Sequence, residues 1–401
     1  MMKTLGAFNN YLIKGSVVTA LVVVASLYEV RPAISADLIV SGNDAKFVRE
    51  EGVGGFPPGV GPDTLTVIDA SVFPPKVVDT IEVQHTLSGP PQEVAITPNG
   101  QLAFVSAPTT YNYNQQIQEM ESFLQVVDLS LTPAEIVKRI DIGAHPQAVA
   151  VNSAGNIALV TTVDGRVVVL EIHGNDVRLS DQLEISDGRL SGVSFTHDGT
   201  AALVGLRDEQ GVVVLDIDGS EVTTEYERVS TGVAPYAIDV SSDGNWAVVG
   251  NAGLAGLGAS GVSGDADTFT LVDVSSRPFR AVQHVTVPSI PEGVTVSPDG
   301  RWIAVQSMGG SNLPRDAEGY NPTGVVVLYE IQDGQAVKAA ELPSGEASQG
   351  IVFTADSEYL LVQFFTEQEI AVFAVNGGDM EDTGERIPVS GGPASIRSMP
   401  R

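Results

Sequence analysis

The sequence predicts an all-β chain folded as a seven-bladed β-propeller, and three observations carry that prediction. The stretch Pro291-Glu-Gly-Val-Thr-Val-Ser-Pro-Asp-Gly-Arg-Trp-Ile-Ala-Val305 returns in close variants from Pro91, Pro146, Leu190, Pro235 and Ser348, and a truncated copy starts at Pro393. Successive starts lie 44 to 57 residues apart, close to the ~40–45 of a four-stranded propeller blade. Within each copy two short alternating runs flank a turn rich in Asp, Asn and Gly, which is a hairpin signal. The composition agrees: 42 Gly and 23 Pro are spread among short apolar runs in a chain that is 43% hydrophobic, favouring many strands and tight turns over helices.

Residues 1–36 form a targeting segment. Lys3 and Lys14 supply a positive region, Val17 to Leu27 is an apolar run too short for a comfortable membrane span, and Ala33-Ile-Ser-Ala36 offers small residues to a signal peptidase. Export to the periplasm or medium follows if the segment is cleaved, with no stable membrane span left behind. An uncleaved segment would be an anchor instead. Cleavage takes Lys3, Lys14, Arg31 and Glu29 away and leaves 18 basic against 49 acidic side chains, a net of −31. Such a surface repels phosphate backbones, so nucleic acid is disfavoured as a partner. The chain has no Cys, which removes disulfides and thiolate nucleophiles.

Residues 37–401 read as one propeller. Residues 37–90 resemble a blade without its first strand, and Pro393 to Met399 is a first strand with nothing after it, so the C-terminal strand should enter the N-terminal blade and close the ring. In every complete blade the order is strand a, turn, strand b, connection, strand c, turn, strand d. The a–b turns fall at Asn99-Gly100, Ala154-Gly155, Asp198-Gly199, Asp243-Gly244, Asp299-Gly300 and Asp356-Ser357. Strand c ends in Asp69, Asp128, Glu171, Asp216, Asp273 and Glu330, carboxylates suited to capping the next turn. Extra length falls between strands b and c at 41–63, 106–122, 250–268 and 306–323. Those connections share a face with the d–a connections, so aromatic and acidic side chains such as Phe47, Phe56, Tyr111, Tyr113, Glu50 and Glu119 should crowd one loop-rich face.

These units, with strand-c endings such as Val67-Ile-Asp-Ala-Ser71 and Leu271-Val-Asp-Val-Ser275, resemble the YVTN-type (YncE-like) seven-bladed propeller repeat family and the lactonase-like propellers similar to it. The resemblance spans 37–401 and implies the fold. It leaves the activity open, since binding proteins and enzymes both occur among such propellers. No blade reads Tyr-Val-Thr-Asn, and the Gly-His and Trp-Asp marks of WD40-like repeats are absent.

Local motifs for chemistry are sparse. Gly256 to Gly261 fits a dinucleotide fingerprint as a string but lacks the following helix, and reads as a flexible insertion. Asp265 and Asp267 offer two oxygen ligands to calcium without the further carboxylates of a known loop; no other cofactor is predicted. No His pair has i, i+4 spacing, and no Gly-x-Ser-x-Gly elbow occurs. The better candidates come from register. The residue after each strand-a start should stand at a solvated channel mouth on the loop-rich face, which groups Gln92, Gln147, Ser191, Tyr236, Glu292 and Gln349 as ligand-binding candidates. Beside them Glu292, His145 and Arg189 are the catalytic candidates, an acid, a base and an oxyanion stabiliser for opening an ester or lactone.

Three functional readings follow. The leading one is an exported, monomeric, non-catalytic propeller that binds a protein or small molecule through its loop-rich face and channel mouth. The second is a periplasmic lactonase-like hydrolase working at the channel, and the third a structural subunit of a periplasmic redox complex.

Overall fold

The computed structural model describes residues 37–224, 227–257 and 267–401. Residues 1–36, where the sequence places a targeting segment, Asp265 and most of the Gly256–Gly261 string lie outside the described residues. Seven antiparallel sheets are arranged as a propeller, and four residues, Gly253–Gly256, are helical.

Blade 1 is composite. Its innermost strand is Gly392–Ser398, which pairs with Leu38–Asp44, followed outward by Asp63–Asp69 and Lys76–Val83. The register sets Ile39 opposite Ser398 and Gly42 opposite Ser395. Ring closure by the C-terminal strand is therefore as the sequence predicts. Strand a of blades 2 to 7 runs Val94–Ile96, Pro146–Val151, Leu190–Phe195, Pro235–Val240, Pro291–Val296 and Ile351–Phe353.

The a–b turns show why the repeat is spelled as it is. Ser297 Oγ donates to Asp299 Oδ1 and accepts from the Trp302 amide at 2.8 Å, so one hydroxyl ties both ends of the hairpin. Thr196 with Asp198, Ser241 with Asp243 and Thr354 with Asp356 repeat the device. The strand-c carboxylates of Asp69, Asp128 and Asp273 each accept from the amide and hydroxyl of the serine two residues on. They are turn caps, as their recurrence suggests.

The core is a set of wedges between neighbouring blades rather than one central mass. Seven buried clusters each draw on two adjacent blades. The wedge between blades 7 and 1 holds Ile39, Ile68, Leu361, Ile370 and Ile396. Length variation falls where the sequence places it. Blades 1 and 2 carry small extra hairpins in their b–c connections, Val48–Glu50 with Val53–Gly55 and Thr109–Asn112 with Ile117–Met120. No helix among the described residues is long and apolar enough to cross a membrane.

Because Ile396 sits in the closing wedge at 2% exposure, Ile396→Ala should lower unfolding stability by about 3 kcal/mol through lost burial and a residual cavity. Removing residues 390–401 should go further and convert the monomer to aggregates by exposing two strand edges. Urea unfolding and light scattering measure the two effects; a truncated protein that keeps its melting temperature would mean the ring closes without this strand.

Candidate functional site

Five of the seven inner strands carry a register irregularity that decides what faces the channel. The strand-a register slips between Pro146 and Val149, Leu190 and Val193, Pro235 and Ile238, and Pro291 and Gly293, and again beside Ala394 in blade 1. A bulge of this kind frees one residue from the ladder and re-aims its side chain. The freed position is the second of the repeat, where Gln147, Ser191, Tyr236 and Glu292 stand, with Gln92 and Gln349 at the equivalent places.

The solvated mouth that the sequence suggests is not what these residues form. All six are buried, from Ser191 at 0% to Glu292 at 8%, because the d–a connection of blades 1 and 2 folds over the channel. Gln92 reaches across the axis and pairs with a strand of blade 5: its Nε2 donates to the Ile238 carbonyl at 2.6 Å and its Oε1 accepts from the Ile238 amide at 3.0 Å. Its own carbonyl accepts from Val149, and the Pro91 carbonyl accepts from Ile396. The Tyr236 hydroxyl donates to the Gly89 carbonyl. Gly192 leaves the space this needs, since a Cβ there would come within 2.3 Å of Gln92 Oε1 and 2.4 Å of the Tyr236 carbonyl oxygen. The loop-rich end of the channel is plugged.

Under the plug lies a desolvated polar cluster. Arg207, which opens the b–c turn of blade 4, stacks over the Tyr236 ring at 4.7 Å and donates from Nε to the Gly256 carbonyl. Burial holds the Glu292 carboxyl up to about 8, with the Arg207 charge acting against that rise. Glu292 Oε2 has no hydrogen-bond partner. Burial and the Glu292 charge both push the Tyr236 phenol upward. Arg207 is not among the sequence candidates, which stand at strand-a starts, although the first residue after strand b emerges at the same end.

His145 makes its hydrogen bond away from this cluster, and Arg189 hydrogen-bonds to Asp208 instead, reaching the cluster only through its charge interaction with Tyr236. His145 sets Nδ1 2.9 Å from the Glu121 carbonyl and buries Nε2 without a partner, and burial lowers its basicity. Arg189 is a half-exposed surface group held by Asp208, with Nη2 2.8 Å from Oδ1. Gln147 and Gln349 are buried at the same end; Gln349 donates to the Ala347 carbonyl, and Ser191 Oγ donates to the Pro235 carbonyl. Asp267, the described half of the calcium candidate, begins strand c of blade 5 and accepts from the Ile290 amide. No group of three or more His, Asp or Glu placed to hold a metal occurs among the described residues.

A second buried network, also unread from the sequence, ties the plug to blade 1. Lys46 Nζ lies 3.1 Å from Asp44 Oδ1 and 2.8 Å from Asp63 Oδ2, and donates to the His85 carbonyl. The Leu87 amide donates to Asp44 Oδ2. His85 is fully buried 3.8 Å from Glu93; burial, helped by the Lys46 charge, lowers it to about 4. Burial, with the Asp44 charge adding to it, raises the Glu93 carboxyl well above its ordinary value.

Outside the plug the insertions interlock. Phe365, Phe47, Phe56, Tyr111 and Tyr113 form a continuous row, with Phe56 and Tyr111 stacked at 4.1 Å. Arg49 donates to the carbonyls of Gly52 and Asn312, joining the insertions of blades 1 and 6. Large apolar side chains remain exposed on the two hairpins: Val53 at 61%, Tyr113 at 46%, Ile117 at 47% and Met120 at 60%.

No family model matches the chain, and no curated protein matches it. Solved structures do. A candidate 6-phosphogluconolactonase from Bacteroides uniformis is 13% identical with a TM-score of 0.66, over 91% of this chain and 100% of that one. The periplasmic gluconolactonase of Pseudomonas aeruginosa is 16% identical with a TM-score of 0.62, over 91% and 99%. Hydrazine synthase of Kuenenia stuttgartiensis is 20% identical with a TM-score of 0.58, over 78% and 90%. Likeness at these identities establishes the propeller fold.

Glu292 gives the cluster a pH signature. Its ordinary value is 4.5 and the folded value about 8, so the fold stabilises the protonated form. That contribution is complete below pH 4.5, declines as pH rises, and is gone above about 8. Glu292→Gln copies the protonated carboxyl at every pH. Urea unfolding should find the variant close to the parent at pH 4.5 and more stable at pH 8.5, by about 4 kcal/mol; parallel pH slopes would mean that Glu292 ionises freely.

Proposed function

We propose that this chain is an exported binding protein that docks another protein on its loop-rich face. The observation that carries the reading is the exposure of Val53, Tyr113, Ile117 and Met120 on two hairpins that the blades do not need. Apolar side chains held out on projecting hairpins are anchors for a partner's hollow. The aromatic row beneath them supports rigidity, and a preformed surface loses less entropy on binding. Glu50, Glu51 and Glu119 lie on the same hairpins, so the fitting partner is apolar at its centre with Lys and Arg at its rim. The segment 1–36 and the net of −31 after its removal support export and solubility.

A photo-crosslinking residue at 117 should capture one partner from a native extract in preference to the same residue at 282, an exposed position on an outer strand. The purified partner should bind more tightly at low than at high salt. Ile117→Ser with Met120→Ser should weaken it at least tenfold, about 1.4 kcal/mol, with Val337→Ser neutral. Equal capture at 117 and 282 would sink the docking reading.

A second reading has its own observation. Glu292, neutral near pH 7 and beside Arg207, has the properties of a general acid for ring opening, and two of the similar structures are described as lactonases. It requires the Gln92 plug to open. Hydrolysis of gluconolactones above the buffer rate, lost in Glu292→Gln, supports this reading; no turnover leaves docking as the function.

A further inference from the structure

The channel has a second ring, below the plug, that no functional reading so far uses. The strand-a bulge lets the fifth residue of the repeat face the axis as well as the second. Around the ring that position reads Arg397, Ala95, Ala150, Ser194, Asp239, Thr295 and Val352, all lining one cavity of about 120 Å³. Five of these side chains are small. The other two are opposite charges, placed on blades 1 and 5 across the axis.

The geometry of that pair is unlike a finished salt bridge. Arg397 Nη1 stands 3.4 Å from Asp239 Oδ1, with side chains 15% and 20% exposed, and its Nη2 donates to the Val193 carbonyl at 3.1 Å. Asp239 Oδ2 is fully used, accepting from the Thr295 hydroxyl and the Val296 amide, each at 2.9 Å. Oδ1 makes a long contact with Arg397 at 3.4 Å, and the Val240 amide also donates to the carboxylate. A planar guanidinium suited to two parallel bonds with a carboxylate makes one marginal bond instead. Burial raises the Asp239 carboxyl and lowers the Arg397 guanidinium, so neither group is well solvated where it stands.

The cavity is blind at the plug, where Pro91 and Gln92 form its end. At the turn end its rim includes His197 and the segment 399–401. That segment is pinned by Arg401 to Asp37 at 2.7 Å and by its carbonyl to His197 Nδ1 at 3.1 Å. An apolar cavity of roughly 150 Å³ takes a molecule of benzene's size, so this one suits about six non-hydrogen atoms.

We infer that this half of the channel binds a small carboxylic acid carrying a hydroxyl or ammonium group. The ligand carboxylate takes the Arg397 fork, and its donor takes Asp239 Oδ1. Inserting both between the charges replaces one long contact with shorter charge-assisted bonds at each end; an ammonium acid keeps the site neutral overall, whereas a hydroxy acid adds one negative charge, so the ammonium acids should bind more tightly. The Ser194 hydroxyl, on the same ring, adds a polar wall. This site is independent of the docking face and of the Glu292 cluster, from which Gln92 separates it.

Calorimetric titration with glycolate, L-lactate, glycine and β-alanine tests it, with acetate and ethylamine as controls that carry one arm each. At least one two-armed probe should bind with a Kd below about 1 mM, and the one-armed probes at least tenfold more weakly. Asp239→Asn and Arg397→Gln should each weaken the bound probe tenfold or more, while the docking variants Ile117→Ser and Met120→Ser leave it unchanged. Ala150→Leu fills the cavity without touching the pair and should abolish binding, which decides the matter if a charge variant fails to fold. No saturable heat from any two-armed probe, or binding that survives Ala150→Leu, would overturn the proposal.

Discussion

Everything this molecule presents depends on the hydrogen bonds between Leu38–Asp44 and Gly392–Ser398. A propeller has no central core; each blade is wet on its outer strand and buries its faces only against its neighbours. Opening the ring between blades 1 and 7 would therefore strip one wedge completely and expose two unpaired inner edges. The same strand that closes the ring also carries Ile396 into the wedge and Arg397 into the channel. Closure and channel chemistry share one strand.

The strand-a bulge is the second constraint. A regular strand alternates its side chains, so the second and fifth residues of the repeat would point to opposite sides. The slip after the strand start brings both to the axis, giving two rings at different depths. Closing the upper ring falls to one amide: a side-chain carboxamide offers a donor and an acceptor side by side, and Gln92 uses both on Ile238. The small residues of the lower ring leave a cavity of about 120 Å³ around Arg397 and Asp239.

Much of the fold was legible because it is written seven times. The Pro-Asp-Gly turns, the strand-c carboxylates at Asp69 and Asp273 and the orphan strand at Pro393 follow from local rules that each blade repeats. The candidate site was legible only in part. Register placed Gln92, Tyr236 and Glu292 at one end of the channel, but the burial of that end comes from a single connection, Gly89 to Gln92, which is not repeated and has no periodic signal. Arg207 and the Lys46 network arise from contacts between residues far apart in sequence, and no spacing rule encodes them. The Arg397 and Asp239 pair was readable by aligning the fifth position of the repeat, where two charges interrupt a column of small residues.

The distribution of buried polar atoms without partners bears on where function lies. Among the described residues they include Glu292 Oε2, Glu93 Oε1, His145 Nε2, both His85 ring nitrogens, Asn251 Oδ1, Gln306 Oε1 and Glu346 Oε1. All stand on d–a or b–c connections, or at the strand ends that feed them, on the loop-rich side. The a–b turns at the other end satisfy theirs through the repeated hydroxyl and carboxylate lock. Each orphaned group costs about 1–3 kcal/mol of desolvation, and a fold that can lock its turns so regularly at one end has no structural need to leave them open at the other. The insertions, the aromatic row and the exposed hairpins stand on that same side. Regular turns build the scaffold at one end, and the irregular connections and insertions gather at the other.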